Sequence, residues 1–168
     1  DINYVVINHL EPDHTGIITI LRKIAPQAEI IVSEKGATLL KAFYHIDHKV
    51  RVVKDQEELR IGKKILRFYS TPFVHWPETM MTYEVTEKVL FSCDGFGGYG
   101  ALRGAIFDDE CTEKDFYLRE MLRYYTNIVA TFSRSVLKAI EKLSTVPLEM
   151  VTPSHGLIWR KEPSLVIN

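Results

Sequence analysis

The sequence predicts an α/β fold. Short runs rich in β-branched residues alternate with segments whose apolar residues recur at helical spacing, the pattern of strands and helices packed in layers. The chain has 168 residues, of which 46% are hydrophobic and 26% charged. These values are typical of one globular domain with a substantial core. We therefore treat residues 1–168 as a single domain.

In the first part of the chain, each predicted strand precedes a predicted helix. The apolar positions Ile17, Ile18, Leu21 and Ile24 lie on one helical face, and Pro26 ends that helix. Ser33 is a suitable N-cap for the next helix. The predicted elements are a strand at 1–8, a helix at 16–25, a strand at 28–32 and a helix from Ser33 to about Tyr44.

The second part of the chain is richer in strands. Residues 86–88 predict a hairpin turn, and the charged stretch 54–64 predicts a solvated hairpin region. Thr112-x-x-Asp115 resembles a capping box that opens the longest helix, to about Leu143. The predicted strands are 50–53, 66–70, 80–85, 89–92 and 150–151, and a glycine-rich loop covers 95–104.

Bulk properties exclude some classes of function. The net charge of −1 argues against a broad nucleic-acid surface. No apolar run reaches the roughly 18 residues that would suggest a membrane span. Cys93 and Cys111 form no C-x-x-C motif, which favours two reduced thiols in a cytoplasmic protein. The chain begins at Asp1 without Met, so we expect a fragment of a longer protein.

The most informative motif directly follows the first predicted strand. Four side chains that can ligate a metal lie within six residues: His9, Glu11, Asp13 and His14. Residues two apart on an extended segment point to the same side, and His14 adds a ligand on another side as the chain turns. The motif could therefore line two adjacent metal positions.

Three further candidate ligands stand at strand ends. His75, Asp94 and His155 each lie at a predicted strand-to-loop junction, where function is concentrated in α/β folds. With the first motif they make seven ligands, which matches two metals sharing one bridge.

The seven ligands can be divided between two metals. Because a carboxylate can offer one oxygen to each of two ions, we expect Asp94 to be the bridge. We assign His9, Glu11 and His75 to the first metal, and Asp13, His14 and His155 to the second. Nitrogen and carboxylate ligands without a thiolate favour iron or manganese.

With these motifs, the chain resembles the flavodiiron proteins of the metallo-β-lactamase superfamily. The opening motif matches their H-x-E-x-D-H. His75 in His-Trp-Pro, Asp94 after Leu-Phe-Ser and His155 in Pro-Ser-His-Gly match in order and context. Hydrolases of the superfamily carry H-x-H-x-D-H and bind zinc. Glu11 in place of the second His is the flavodiiron signature for two non-haem irons.

The resemblance implies a metallo-β-lactamase-like αββα sandwich, here truncated at its N-terminus. It implies a diiron oxidoreductase that reduces O2 to water or NO to N2O, with two iron ions bridged by Asp94 and by an oxo or hydroxo group. It implies electrons from FMN in a flavodoxin-like domain outside this chain or from a rubredoxin-type donor, and a homodimer in the full-length form. It also suggests Tyr124 or Tyr125 as a hydrogen-bond donor near the irons.

Some alternatives remain open at this point. The chain could be a diiron oxygen-binding sensor without turnover, and a dizinc hydrolase is a third hypothesis that Glu11 argues against. Gly95–Gly100 fits G-x-G-x-x-G, but no helix pattern follows, so we interpret it as a loop bent around the metal pocket. We expect His45 and His48 to be solvated, and Cys93 to be a buried packing thiol.

Overall fold

Two β-sheets form the centre of the protein, and helices cover their outer faces. The computed structural model describes residues 2–167. One sheet has three parallel strands in the order β1-β2-β3, and the other has five strands in the order β4-β5-β6-β7-β8. In the second sheet only β7 and β8 run parallel. The predicted α/β class and the αββα sandwich are confirmed.

The elements alternate along the chain largely as predicted. The strands are β1 Tyr4–Val6, β2 Glu29–Val32, β3 Val50–Val52, β4 Glu58–Ile61, β5 Lys64–Ser70, β6 Met80–Glu84, β7 Val89–Cys93 and β8 Met150–Pro153. The α-helices are α1 Pro12–Thr15, α2 Ile18–Ile24, α3 Glu34–Tyr44, α4 Lys114–Tyr124 and α5 Ser133–Leu143. Shorter helical turns are a π-helix at Tyr125–Val129 and 3-10 turns at Ala130–Phe132 and Pro163–Val166.

Three apolar clusters hold the layers together. Strand β2 shows the principle, because Ile30 and Val32 point toward the helices while Ile31 points toward the other sheet. All three side chains are fully buried. Leu90 belongs to the third cluster, which joins the five-stranded sheet to α4 and α5. Each cluster corresponds to one interface of the sandwich.

The start of α3 follows local sequence chemistry. The Ser33 hydroxyl accepts a hydrogen bond from the backbone N–H of Gly36 at 3.0 Å, so the predicted N-cap is confirmed. Gly36 has little room for a side chain, because an added Cβ would lie 3.2 Å from Cβ of Val32. The cap therefore places α3 directly against the end of β2.

The helical stretch predicted from Thr112 to Leu143 is not continuous. Helix α4 has Glu113 at its N-cap with no side-chain hydrogen bond, so the predicted capping box is wrong. The helix passes into the π-helical turn after Tyr124, and α5 begins only at Ser133. The apolar spacing continues across this break because both helices pack on the same sheet.

None of the helices within residues 2–167 has both the length and the apolar character that a membrane span requires.

The charged stretch 54–64 contains a strand that the sequence pattern did not single out. β4 pairs with β5 through a tight turn at Gly62, whose φ is +61°. The hairpin prediction for this stretch is thus confirmed. The 86–88 hairpin between β6 and β7 is confirmed as well.

Glu84 holds the turn between β6 and β7. Its carboxylate accepts backbone N–H groups of Glu87 at 2.7 Å, Thr86 at 3.0 Å and Ile65 at 3.4 Å. Burial opposes ionisation, but these N–H groups outweigh it and lower the pKa of Glu84 to about 2. The ionised carboxylate therefore contributes to folding stability.

We expect Glu84→Gln to lower the free energy of unfolding at pH 7 by about 2 kcal/mol, because the charge-assisted hydrogen bonds are lost. The wild-type carboxylate has a pKa of about 2 in the folded chain and about 4.5 when unfolded. Its contribution is therefore complete above about pH 4.5 and lost as the pH falls toward 2. Urea unfolding between pH 3 and 7 measures this difference. Glu149→Gln, at an exposed site, is the control, and a pH-independent difference for Glu84→Gln would contradict the assignment.

Candidate metal centre

All seven predicted ligands converge at one edge of the sandwich. The first motif follows β1, His75 lies in the loop between β5 and β6, and Asp94 and His155 follow β7 and β8. Strands β7 and β8 are parallel neighbours, so their carboxyl ends lie side by side. The fold therefore brings together residues that are up to 146 positions apart, from His9 to His155.

A short helix separates the first motif into two pairs of candidate ligands. Glu11 is extended, with φ −60° and ψ 144°, and Pro12 begins α1. Proline suits this position because its fixed φ matches the helix and it needs no N–H partner there. His9 and Glu11 lie on the extended segment before the helix, while Asp13 and His14 lie on α1. The turn of the chain thus separates the two pairs of ligands.

Asp94 lies at the centre of the cluster. A register shift interrupts the β7–β8 pairing between Phe91 and Cys93, and Cys93 has a φ of +54°, rare for a residue with a side chain. This irregularity ends the strand and directs the carboxylate inward, where Asp94 is 1% exposed. The turn is closed by the Ser92 hydroxyl, which donates to the carbonyl oxygen of Gly95 at 2.6 Å.

The two carboxylate oxygens of Asp94 face different histidine pairs. Oδ2 lies 3.1 Å from Nε2 of His75 and 3.4 Å from Nε2 of His9. Oδ1 lies 3.0 Å from Nε2 of His14 and 3.4 Å from Nε2 of His155. Asp94 is the only one of the seven candidate ligands that contacts all four of these histidines within residues 2–167.

Each histidine pair has its own second carboxylate. Glu11 Oε2 lies 3.1 Å from Nε2 of His75 and 3.3 Å from Nε2 of His9. Asp13 is the corresponding carboxylate for the other pair, with Oδ2 3.2 Å from Nε2 of His155 and Oδ1 3.5 Å from Nε2 of His14. Two groups, each of two imidazoles and one carboxylate, thus share Asp94.

A limit of 4.8 Å between ligand atoms groups the candidate ligands slightly differently from their contacts with Asp94. Ligand atoms of His9, Glu11, His14 and Asp94 satisfy this limit together, as do those of Asp13, His14 and His155. His14 therefore lies close to both groups. We place His14 with Asp13 and His155, because it contacts the same Asp94 oxygen as His155 does.

The electrostatics of the cluster favour a bound cation. The histidine neighbours outweigh burial and hold the pKa of Asp94 far below its usual range. Asp94, with a smaller contribution from Cys93, raises the pKa of His14 to about 10, and the pKa values of His75 and His155 also rise, mainly because of Asp94. Metal ions replace protons on such histidines, because ligation needs the neutral imidazole.

Two buried atoms of the cluster lack hydrogen bonds. Within residues 2–167, His14 Nε2 and Asp94 Oδ1 are both buried and unsatisfied, because their close approach does not have hydrogen-bond geometry. Buried polar groups without partners are costly, so each such pair calls for an explanation. A cation between these atoms would satisfy both, so the residues present fit the metals that the sequence predicts.

Glu78 is a functional candidate that sequence reasoning missed. Its Oε1 accepts hydrogen bonds from His9 Nδ1 at 2.6 Å and from the backbone N–H of Leu10 at 3.0 Å, with His9 and Glu78 both buried. The bond to Nδ1 leaves Nε2 of His9 directed toward Glu11 and Asp94. The signal was the position of Glu78 in the same loop as His75, three residues further on.

Tyr124 and Tyr125 occupy different surroundings. Tyr124 is buried, and its ring lies 5.8 Å from that of His155. It borders a cavity of about 500 Å³ that Glu11, Asp13, His75 and His155 also line. Burial, and then the nearby Asp94, raises the pKa of Tyr124, which keeps the phenol protonated. Tyr125 is 37% exposed and does not border this cavity.

The other residues considered at the sequence level lie around or away from the centre. Cys93 is buried, as expected, but its thiol also lies 3.9 Å from Nδ1 of His14. His45 and His48 are exposed at the end of α3. The glycine-rich loop borders the cavity at Gly98 and Gly100 and no helix follows it directly, as expected.

The glycine-rich loop also needs its glycines for contact with the His155 loop. Gly156 has a φ of +88°, and a Cβ there would lie 3.1 Å from the backbone nitrogen of Gly98. That same nitrogen donates a hydrogen bond to the carbonyl oxygen of His155 at 3.1 Å. Two glycines in direct backbone contact therefore hold His155 at the site.

Comparison with known proteins identifies relatives along nearly the whole chain. The nitric oxide reductase of Moorella thermoacetica is 35% identical over an alignment of 169 positions, which covers 99% of this chain and 42% of the relative. The rubredoxin oxygen:oxidoreductase structure from Desulfovibrio gigas superposes with a TM-score of 0.93 at 36% identity, over 98% of this chain and 42% of that one. The flavodiiron protein structure from Giardia intestinalis gives 0.90 at 34% identity, over 98% and 40%.

The chain spans about two-fifths of the length of these relatives. The matching part contains all seven candidate ligands, because nearly the whole chain is covered. In addition, residues 1–156 match the profile of the family described as ODP family beta lactamase. The chain therefore belongs to the ODP family of beta-lactamase-like domains and resembles the flavodiiron proteins.

Proposed function

We propose that residues 1–168 are the diiron domain of a flavodiiron-type oxidoreductase that reduces NO to N2O, O2 to water, or both. The observation that carries the proposal is the position of Asp94 between the histidines. Its two carboxylate oxygens face two separate groups of candidate ligands. A bridging carboxylate between two metals has this arrangement. The names of the relatives, nitric oxide reductase and oxygen:oxidoreductase, support the reaction class.

The ligand groups support a specific division of the metals. His9, Glu11 and His75 would hold one ion, Asp13, His14 and His155 the other, and Asp94 would bridge them. The donors are nitrogen and carboxylate oxygen, and each group carries one carboxylate of its own. This donor set, which has a carboxylate in each group and no thiolate, suits iron or manganese. Glu11 stands where the zinc hydrolases of the superfamily carry a histidine. Cys93 is on the far side of His14, at Nδ1, and does not add a thiolate to either group.

Irons held by these residues would supply electron transfer to the diatomic substrate. Two NO molecules need two electrons and two protons to give N2O and water, and one O2 needs four electrons and four protons to give two waters. The protein itself contributes orientation and protection. Glu78 fixes the tautomer of His9 through its hydrogen bond with Nδ1. The buried carboxylate of Asp94 places a negative charge between the two ligand groups. Trp76 packs edge-on against His9 with ring centroids 5.1 Å apart, which limits access of water from that side. The protonated phenol of Tyr124 can donate a hydrogen bond to an anionic oxygen in the cavity.

The electrons must come from outside the ligand cluster. We propose a flavin donor, either a flavodoxin-like domain carrying FMN or a separate protein, with a rubredoxin-type protein earlier in the chain of transfer. The name of the Desulfovibrio gigas relative, which includes rubredoxin, supports the rubredoxin-type donor. The cavity of about 500 Å³ is bordered by both ligand groups, through Glu11 and His75 on one side and Asp13 and His155 on the other. We propose electron entry at the first group, on Glu11 and His75. We expect a homodimer in the full-length form.

Asp94→Asn tests the bridge. The variant keeps the size of the side chain but removes the charge and one carboxylate oxygen, so we expect at least one of two irons per chain to be lost. Iron per chain, measured by mass spectrometry after anaerobic reconstitution, checks this outcome. Asp115→Asn, on the exposed surface of α4, is the matched control. Two irons retained in Asp94→Asn would refute the bridging role.

Glu11→His tests the choice of metal. The substitution replaces a hard carboxylate with the imidazole found in zinc hydrolases, so the iron-to-zinc ratio should fall by roughly 10-fold in competition. Reconstitution with equal Fe²⁺ and Zn²⁺, followed by metal analysis, measures the ratio. If wild-type protein itself took up two zinc ions in preference to iron and hydrolysed esters or lactams, the dizinc hydrolase reading would replace ours.

Tyr124→Phe tests the phenol. We expect kcat for NO or O2 reduction to fall roughly 10- to 100-fold, because one hydrogen-bond donor to developing negative charge is removed, while both irons remain bound. Steady-state consumption of NO and O2 with a reduced flavodoxin measures the rate. Tyr125→Phe is the matched control and should be neutral. Stable O2 binding by the wild type without sustained consumption would favour the sensor hypothesis over the reductase.

A further inference from the structure

Two candidate ligands have very different partners behind their imidazole rings. His9 Nδ1 lies 2.6 Å from a carboxylate oxygen of Glu78, and both side chains are 0% exposed. His14 Nδ1 lies 3.9 Å from the thiol sulfur of Cys93, which in turn accepts from the Ser154 hydroxyl at 3.5 Å. One ring is thus held by a carboxylate, and the other contacts a thiol.

This difference matters when Nε2 binds a metal. The proton then resides on Nδ1, which must donate a hydrogen bond outward. A carboxylate acceptor makes the imidazole more basic and fixes the ring, whereas a thiol is a weak acceptor. His9 is therefore the stronger and better oriented ligand. No other imidazole among His14, His75 and His155 has a carboxylate bound to its Nδ1 within residues 2–167.

The two ligand groups also differ in burial. In the first group the side chains of His9, His75 and Glu11 are 0%, 13% and 35% exposed. In the second group those of His14, His155 and Asp13 are 13%, 38% and 48% exposed. Ligands that are held in place lose less conformational freedom on binding. Asp94 serves both groups and each has one carboxylate of its own, so formal charge does not distinguish them.

We propose that the two metal positions have unequal affinity, with the His9–Glu11–His75 position filled first and the Asp13–His14–His155 position filled last and emptied first. Glu78 and Cys93 are positioning residues that set this order through the rings of His9 and His14. The proposal rests on the ligand division given under the proposed function. A chain that keeps one metal would therefore be a one-electron centre at the first position.

Anaerobic titration of the metal-free chain with Co²⁺ tests the order, because its visible absorption reports each ion as it binds. We expect two phases whose affinities differ by at least 10-fold. At one equivalent, proton NMR should show a hyperfine-shifted, slowly exchanging N–H from His9, protected by burial against Glu78. Glu78→Gln should weaken the first phase by roughly 10- to 100-fold and change the second far less.

A matched pair at Cys93 tests the second position independently, and does not rely on Glu78→Gln folding. Asp and Asn both tolerate the φ of +54° found there and have nearly the same shape. Cys93→Asp places a carboxylate on the Nδ1 side of His14, and Cys93→Asn does not. The second phase should be about 10-fold tighter in Cys93→Asp than in Cys93→Asn.

The outcomes separate this inference from the proposed function. Two Co²⁺ ions that bind in a single phase, or a Glu78→Gln variant that weakens both phases equally, overturn the order of filling but leave the two-metal site standing. A chain that binds no Co²⁺ overturns both. Equal second-phase affinities in the two Cys93 variants would show that the partner of His14 does not set the affinity of its position.

Discussion

The buried carboxylate of Asp94 is the constraint around which the site is built. A charged group that is 1% exposed is costly unless it is paired, and here four imidazoles approach its two oxygens. The remaining carboxylates, Glu11 and Asp13, then face the outer sides of the same imidazoles. Within residues 2–167, His14 Nε2 and Asp94 Oδ1 are buried without a hydrogen-bond partner, and a cation between them would satisfy both atoms. The fold therefore has to hold these side chains close together.

The sandwich holds them by ending its strands at one edge. The parallel pair β7 and β8 brings Asp94 and His155 side by side, and the irregular end of β7 turns Asp94 inward. Close backbone contact between Gly98 and Gly156 then presses the two loops together. Next to these loops, the π-helical turn begins directly after Tyr124, a local irregularity of the kind often found at functional sites. Regular structure thus supplies rigidity, and its irregular ends aim the ligands.

Much of this was predictable because the controlling interactions are local. A short β-branched run predicted β2, and the Ser33 cap predicted the start of α3. The break between α4 and α5 was missed, because both segments keep the same apolar spacing against one sheet. The supposed capping box failed since Glu113, not Thr112, is the N-cap. Strand β4 escaped notice because only Leu59 of its residues is buried.

For the site, the sequence by itself determined the residue types and the order of the seven candidate ligands, including the carboxylate of Glu11. These depend on residue identity and on spacing within short segments. Only the tertiary structure decided which oxygen of Asp94 faces which histidines, that Tyr124 rather than Tyr125 borders the cavity, and that Glu78 supports His9 while Cys93 supports His14. The reason is physical: these contacts join residues 69 and 79 positions apart, and their geometry follows from how strand ends and loops pack, which no local pattern encodes.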